Sequence, residues 1–194
     1  LASLAQAGYN LRIIDLDNGL DILKNYLTNP QSQYYDGGAS AKRVSFVTLT
    51  EQMKLNPMNN TLSPTKATVW PRMVKLLHHW KDGETDLGSV TTWGPQDVLV
   101  IDTLSTVATS AMNHHLAMNG FIGKVRTSNE GRRDIGAAQT LIESLLQMLY
   151  DESVRCNVIV NSHITYVDDQ NSTGGLPDEA RPQTGYASAI GKAL

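Results

Sequence analysis

Four consecutive branched apolar residues, Val98-Leu99-Val100-Ile101, run from Asp97 into a single carboxylate, Asp102, and a helix-compatible segment, Thr103-Leu104-Ser105, follows. A continuous apolar run of this length fits a strand buried on both faces, as in a parallel sheet. Open α/β sheets bind ligands at the carboxyl ends of their strands, so Asp102 is expected at the binding edge. The same residues also fit a plain core strand followed by a helix-capping Asp. The flanking sequence decides between the two.

The 194 residues are enough for one α/β domain with a substantial core. A net charge of −3 gives the whole chain no basic bias of the kind nucleic-acid binders show, so any DNA contact needs a local patch. Cys156 is the single cysteine, which rules out an internal disulfide and suits a reducing, cytoplasmic compartment. No apolar run approaches the roughly 18 residues of a membrane span, and the first residues do not read as a secretory signal. Leu1 to Ala7 reads instead as the last turns of an amphipathic helix stopped by Gly8, with no initiator Met. Residues 187–194 stop inside an apolar segment. Both ends suggest a piece of a longer protein.

Asn10 to Asp17 reads as a strand ending in acids, and Asn18-Gly19 as a turn. Leu20 to Leu27 suits a short helix, ended by Asn29-Pro30. Val44 to Leu49 is a strand by its β-branched content and alternation. Residues 50–64, rich in Asn, Pro and Thr, read as irregular. Pro71 suits a first helical turn, and Met73, Leu76, Leu77 and Trp80 then form an apolar stripe, with Gly83 as the stop. Residues 82–96 read as a loop. A helix is expected from about Leu104 to Met118, stopped by Asn119-Gly120. His78-His79 and His114-His115 ride on helices without acids or cysteines at ligand spacing. Gly123 to Arg133 is polar, and Asp134 can cap an amphipathic helix carrying Ile135, Ala138, Leu141, Ile142, Leu145 and Leu149. Cys156 to His163 is a second buried strand ending in polar groups, followed by a long loop over 165–184. Strands alternating with helices argue for an α/β fold with a mainly parallel sheet.

Three expected strands therefore end in polar groups: Asp15 and Asp17, Asp102, and Asn161, Ser162 and His163. In a parallel sheet those ends face one edge. Asp102 has the form of a Walker B acid, which holds a phosphate-bound Mg²⁺. Mg²⁺ takes few carboxylates and keeps several waters, so Asp102 and Asp15, directly or through water, are its candidate ligands. Asp15 and Asp17 lie two apart and share a face of a regular strand. One of them can polarise the water that attacks a terminal phosphate, while Asn161 and His163 sense that phosphate by hydrogen bonding. Alternatively, Asp17 belongs only to the turn and His163 only to a strand end. Thr103, not Glu, follows Asp102, so a catalytic acid must come from a neighbouring strand, and Asp17 is the obvious source.

At these residues the chain resembles a family. Ile13-Ile14-Asp15-Leu16-Asp17-Asn18-Gly19 looks like the second strand of RecA-type ATPases and the turn after it. Val98 to Leu104 is similar to their Walker B with a hydroxyl residue after the Asp, and Val158 to His163 to their sensor strand. The loop at 165–185, with Thr173-Gly174-Gly175, and residues 123–133 occupy the places of the two DNA-binding loops. More narrowly, the chain is similar to phage-encoded, RecA-like single-domain ATPases that assist single-strand annealing recombination, and Gly191-Lys192-Ala193 fits the segment after their second loop.

The resemblance implies a single RecA-like core over 1–194, with helices on both faces of the sheet. It implies ATP and Mg²⁺ at Asp102, Thr103 and Asn161, with Asp17 and His163 as catalytic groups. It implies a homo-oligomer in the host cytoplasm that meets single-stranded DNA and an annealing or single-strand-binding protein. Lys124, Arg126, Arg132 and Arg133 are the cations placed to touch DNA phosphates, or else belong to a solvated charged loop. Two departures stand out. Asp17 is one methylene shorter than the usual Glu. No Gly-x-x-x-x-Gly-Lys-Ser/Thr occurs in the chain, and in the family that phosphate loop lies just ahead of the helix resembling Leu1 to Ala7. Other readings are another RecA-fold motor or P-loop enzyme (a helicase core or a nucleotide kinase) and a non-catalytic interaction module.

Overall fold

The computed structural model describes residues 1–57, 60–168 and 183–188. The Gly-Gly stretch at 173–175 and the Gly-Lys-Ala segment at 191–193 lie outside them. The fold is mixed α/β, built on a four-stranded parallel sheet. In chain order the elements are α1 (Ala2–Gln6), β1 (Asn10–Asp15), α2 (Asp21–Thr28), β2 (Val44–Thr48), β3 (Met53–Asn56), β4 (Thr61–Pro64), α3 (Val69–His78), β5 (Trp80–Asp82) and β6 (Thr85–Gly88). There follow β7 (Asp97–Asp102), α4 (Leu104–Met118), α5 (Ser128–Leu149), β8 (Asn157–Val160), β9 (Ile164–Asp168) and β10 (Gln183–Ser188).

The sheet order is β2-β1-β7-β8, every neighbouring pair parallel. The apolar run at 98–101 is the third strand and is buried throughout. Strand alternation sends its side chains to two clusters. Val98 and Val100 join Leu11 and Ile13 under α1 and α2, with Ala2, Ala5, Leu23 and Leu27. Leu99 and Ile101 join Ile14 against residues of α3, α4 and α5, among them Met73, Val107 and Ile142. A strand with apolar side chains on both sides is what such a sheet needs, and this explains the run without polar interruption.

Several expectations are corrected. β1 ends at Asp15, so Asp17 does not share a strand face with it. Within the stretch expected to be irregular, Met53–Asn56 and Thr61–Pro64 pair as antiparallel strands. The helix of the apolar stripe ends at His78, and Trp80 opens a strand, its side chain fully buried and its indole N–H donating to Ser45 Oγ at 3.0 Å. Position i+7 falls on the buried side in both conformations, so spacing could not separate them. Gly83, at φ +59°, belongs to the tight turn joining β5 to β6, inside the stretch expected to be a loop. The described ends of the expected loop at 165–184 form the antiparallel pair β9 and β10.

The last helix begins at Ser128, six residues ahead of Asp134, because Thr127 caps it. Glu130 N donates to Thr127 Oγ1, and the Glu130 carboxylate accepts from Thr127 N at 2.9 Å. This reciprocal capping box was legible as Thr-x-x-Glu. No helix of the described residues is long and apolar enough to cross a membrane.

Leu99, fully buried in the central strand, tests the packing. Leu99→Ala is expected to cost about 2–5 kcal/mol of unfolding free energy, read from urea denaturation. A loss well under about 1 kcal/mol would contradict its place in a close-packed core.

Candidate active site

Asp15 stands opposite Asp102 in the β1–β7 register, so the two strands end level. Asp15 is 1% exposed and accepts hydrogen bonds at both oxygens. Oδ1 takes the backbone N–H groups of Asp17 (3.3 Å) and Gly19 (3.2 Å), and Oδ2 takes the Thr48 hydroxyl (3.1 Å). Its carboxylate thus shapes the turn after β1, where Asn18 adopts a left-handed backbone at φ 55°, as Asn tolerates. Asp15 is turned into the protein, and the turn it builds presents Asp17 outward.

Asp17 meets the other two strand ends. Its Oδ1 accepts from Thr106 Oγ1 at 2.5 Å, and its Oδ2 lies 3.3 Å from His163 Nε2. His163 is held in turn, its backbone N–H donating to Ser105 Oγ at 3.3 Å. Asn161 contributes backbone, its carbonyl accepting from Leu104 N at 2.7 Å. Asp17 and His163, chosen from different strands, are therefore brought together. The first turn of α4 lies between them, and its Ser105 and Thr106 were not singled out from the sequence. The available signal was three hydroxyl residues, Thr103, Ser105 and Thr106, within four positions after the acid.

Asp102 is half-buried and lines a cavity of about 340 Å³ with Leu1, Ser3, Gly19, Tyr26 and Tyr34. At its tyrosine side, the Tyr26 and Tyr34 rings stand 5.6 Å apart. Thr103, next to Asp102, is 5% exposed, and its Oγ1 has no hydrogen-bond partner among the described residues. A buried hydroxyl without a partner is costly and uncommon. Among the described residues no group of three or more His, Cys, Asp or Glu is arranged to hold a metal ion. Mg²⁺ does not require one, since it binds through one or two carboxylates and keeps its waters. Of the two expected metal ligands, Asp102 is the one that faces the cavity.

No protein-family model, curated protein or solved structure matches this chain.

The four cations expected at a DNA surface divide. Lys124, Arg132 and Arg133 are exposed. Arg126 is engaged: Nε donates to Asp134 Oδ2 at 2.8 Å, another nitrogen lies 3.4 Å from Glu130 Oε1, and the guanidinium sits 3.9 Å from the Phe121 ring centre. Asp134, expected to cap the helix, is instead buried within it and also meets His115 Nε2 at 3.1 Å. His115 thus has the acidic partner that sequence spacing did not offer, because that partner comes from the next helix. His79 likewise lies 3.4 Å from Asp86, across from the end of α3. The Arg126 hydrogen bond, aided by His115, holds the Asp134 carboxyl below the usual carboxylate range against the opposing effect of burial, and the same pairing raises Arg126. Asp134 therefore stabilises the fold above the ordinary carboxylate value of about 3.9, and this contribution is lost as pH falls through its lowered native value. Arg126→Gln is expected to lower Tm clearly at neutral pH, with the gap to wild type closing as pH falls into the carboxylate range. Equal melting at pH 7 would contradict the pairing.

Proposed function

We propose that the chain is the core of a RecA-like, Mg²⁺-dependent ATPase of the phage type, driven by single-stranded DNA and acting in recombination or annealing. The observation that carries the reading is the contact of Asp17 with His163 at the edge of a parallel sheet where the strand bearing Asp102 also ends. It is supported by the order of the elements and by the two core clusters, which suit a three-layer RecA-like arrangement. The cavity beside Asp102 adds to it, with a carboxylate toward the phosphate side and two tyrosine rings for a flat base.

In this reading Asp102 and Thr103 hold the Mg²⁺ of ATP, which neutralises charge on the phosphates. Asp17 orients and polarises the attacking water, a task that geometry limits to a group within hydrogen-bond reach. His163 bonds the free side of the Asp17 carboxylate and senses the terminal phosphate. Asn161 fixes the start of the segment that carries His163. Lys124, Arg132 and Arg133 meet DNA phosphates, whereas Arg126 orders the segment between α4 and α5. A homo-oligomer, an annealing or single-strand-binding partner and the host cytoplasm follow from the resemblance. ATP binding in this reading requires a phosphate loop, which residues 1–194 do not contain, so activity is expected only of a protein that carries one.

The test is ATP hydrolysis by the full-length protein with and without single-stranded DNA. Stimulation by DNA is expected, and none would count against the DNA-dependent reading. Asp102→Ala should abolish Mg²⁺-dependent turnover. Asp17→Asn should leave ATP binding intact and slow hydrolysis by about 10²–10⁴-fold. Unchanged turnover in Asp102→Ala, or loss of ATP binding in Asp17→Asn, would refute the assigned roles. Failure to bind ATP at all would favour a non-catalytic interaction module.

A further inference from the structure

We infer that Ser105 and Thr106, in the first turn of α4, are positioning residues that hold the two halves of the Asp17–His163 pair in one geometry. The inference rests on the reading of Asp17 as the water-orienting carboxylate. Asp17 lies two residues past the end of β1, and His163 three residues past the end of β8. Neither is held by the ladder of the sheet, so the direction of each side chain is set by what it touches. For Asp17 those contacts are Thr106 Oγ1 at 2.5 Å and His163 Nε2 at 3.3 Å. For the His163 backbone the contact is Ser105 Oγ at 3.3 Å.

The platform itself is well anchored. Ser105 is 6% exposed, Val107 behind it is fully buried, and Leu104 N donates to Asn161 O. Leu16 N donates to Asp102 O at 2.6 Å, which ties the segment before Asp17 to the segment before α4. One helical turn thus receives the chain leaving β1 and the chain leaving β8. In a helix the Thr hydroxyl divides between two χ1 rotamers, so the bond from Thr106 Oγ1 to Asp17 Oδ1 selects one of them. A carboxylate misplaced by about 1 Å can cost about 10²-fold in rate.

Thr106→Val keeps the shape and removes the hydrogen bond. It is expected to lower kcat about 10- to 100-fold with KM nearly unchanged, and Thr106→Ser should recover most of the loss. In an Asp17→Asn background the same Val substitution should cost little more, because the two residues act as a unit. A kcat close to wild type in Thr106→Val, or an undiminished extra loss in the Asp17→Asn background, would overturn the positioning role while leaving the ATPase reading intact. A readout independent of turnover separates the two. Three-bond NMR couplings of the Thr106 methyl should report one χ1 rotamer in the wild type and averaging in Asp17→Ala. A rotamer indifferent to the loss of Asp17 overturns the inference even if no ATP is hydrolysed.

Discussion

The parallel pairing of β1 with β7, from Asn10 opposite Asp97 to Asp15 opposite Asp102, is the constraint on which the rest of the structure depends. Six residues of each strand run in step, so their carboxyl ends finish level and the acids after them share one edge. Side chains in a strand alternate, so a one-residue slip would move Leu11, Ile13, Val98 and Val100 out of one cluster and break both cores at once. The packing of two apolar faces therefore fixes the register, and the register fixes where the polar groups meet. The site is a consequence of the core.

α4 carries that order away from the sheet. Its first turn receives the chain beyond β1 and beyond β8, and its far end offers His115 to the buried Asp134 of α5. Between the two helices, Arg126 closes the connection by pairing with Asp134 and covering Phe121. A buried carboxylate needs such partners, and removing one leaves an uncompensated charge. The segment at 119–127 is thereby tied to the helices on both sides of it, with Lys124 left exposed beside the tied Arg126.

Much of this was legible in the sequence where the physical signal is local. The apolar run at 98–101, the turn at Asn18-Gly19 and the Asn119-Gly120 helix stop all stand where the residues place them. Strand polarity placed Asp17 and His163 at one edge, while their contact depends on the first turn of α4, which holds both. Less legible was anything set by partners distant in sequence. Trp80 is buried as the helical stripe expected, but its backbone pairs with Gly88 as a strand, a partner eight residues on that the spacing does not reveal. Asp134 can be a cap or a buried ion-pair acceptor, and only Arg126 and His115 decide. Asp15 was expected to face a ligand. Its burial follows from the free N–H groups of Asp17 and Gly19 in the turn, together with the Thr48 hydroxyl on the neighbouring strand, all of which it satisfies.

The proposed function places a divalent metal with a nucleotide at the carboxyl edge of the sheet. Paramagnetic broadening by Mn²⁺·ATP in amide NMR spectra of the full-length protein tests it most directly. The account predicts loss of the Gly19, Thr103 and Thr106 signals, while Asn10, Gln96 and Asn157 at the opposite edge stay sharp. Broadening centred on that opposite edge, or none at the carboxyl edge, would contradict it.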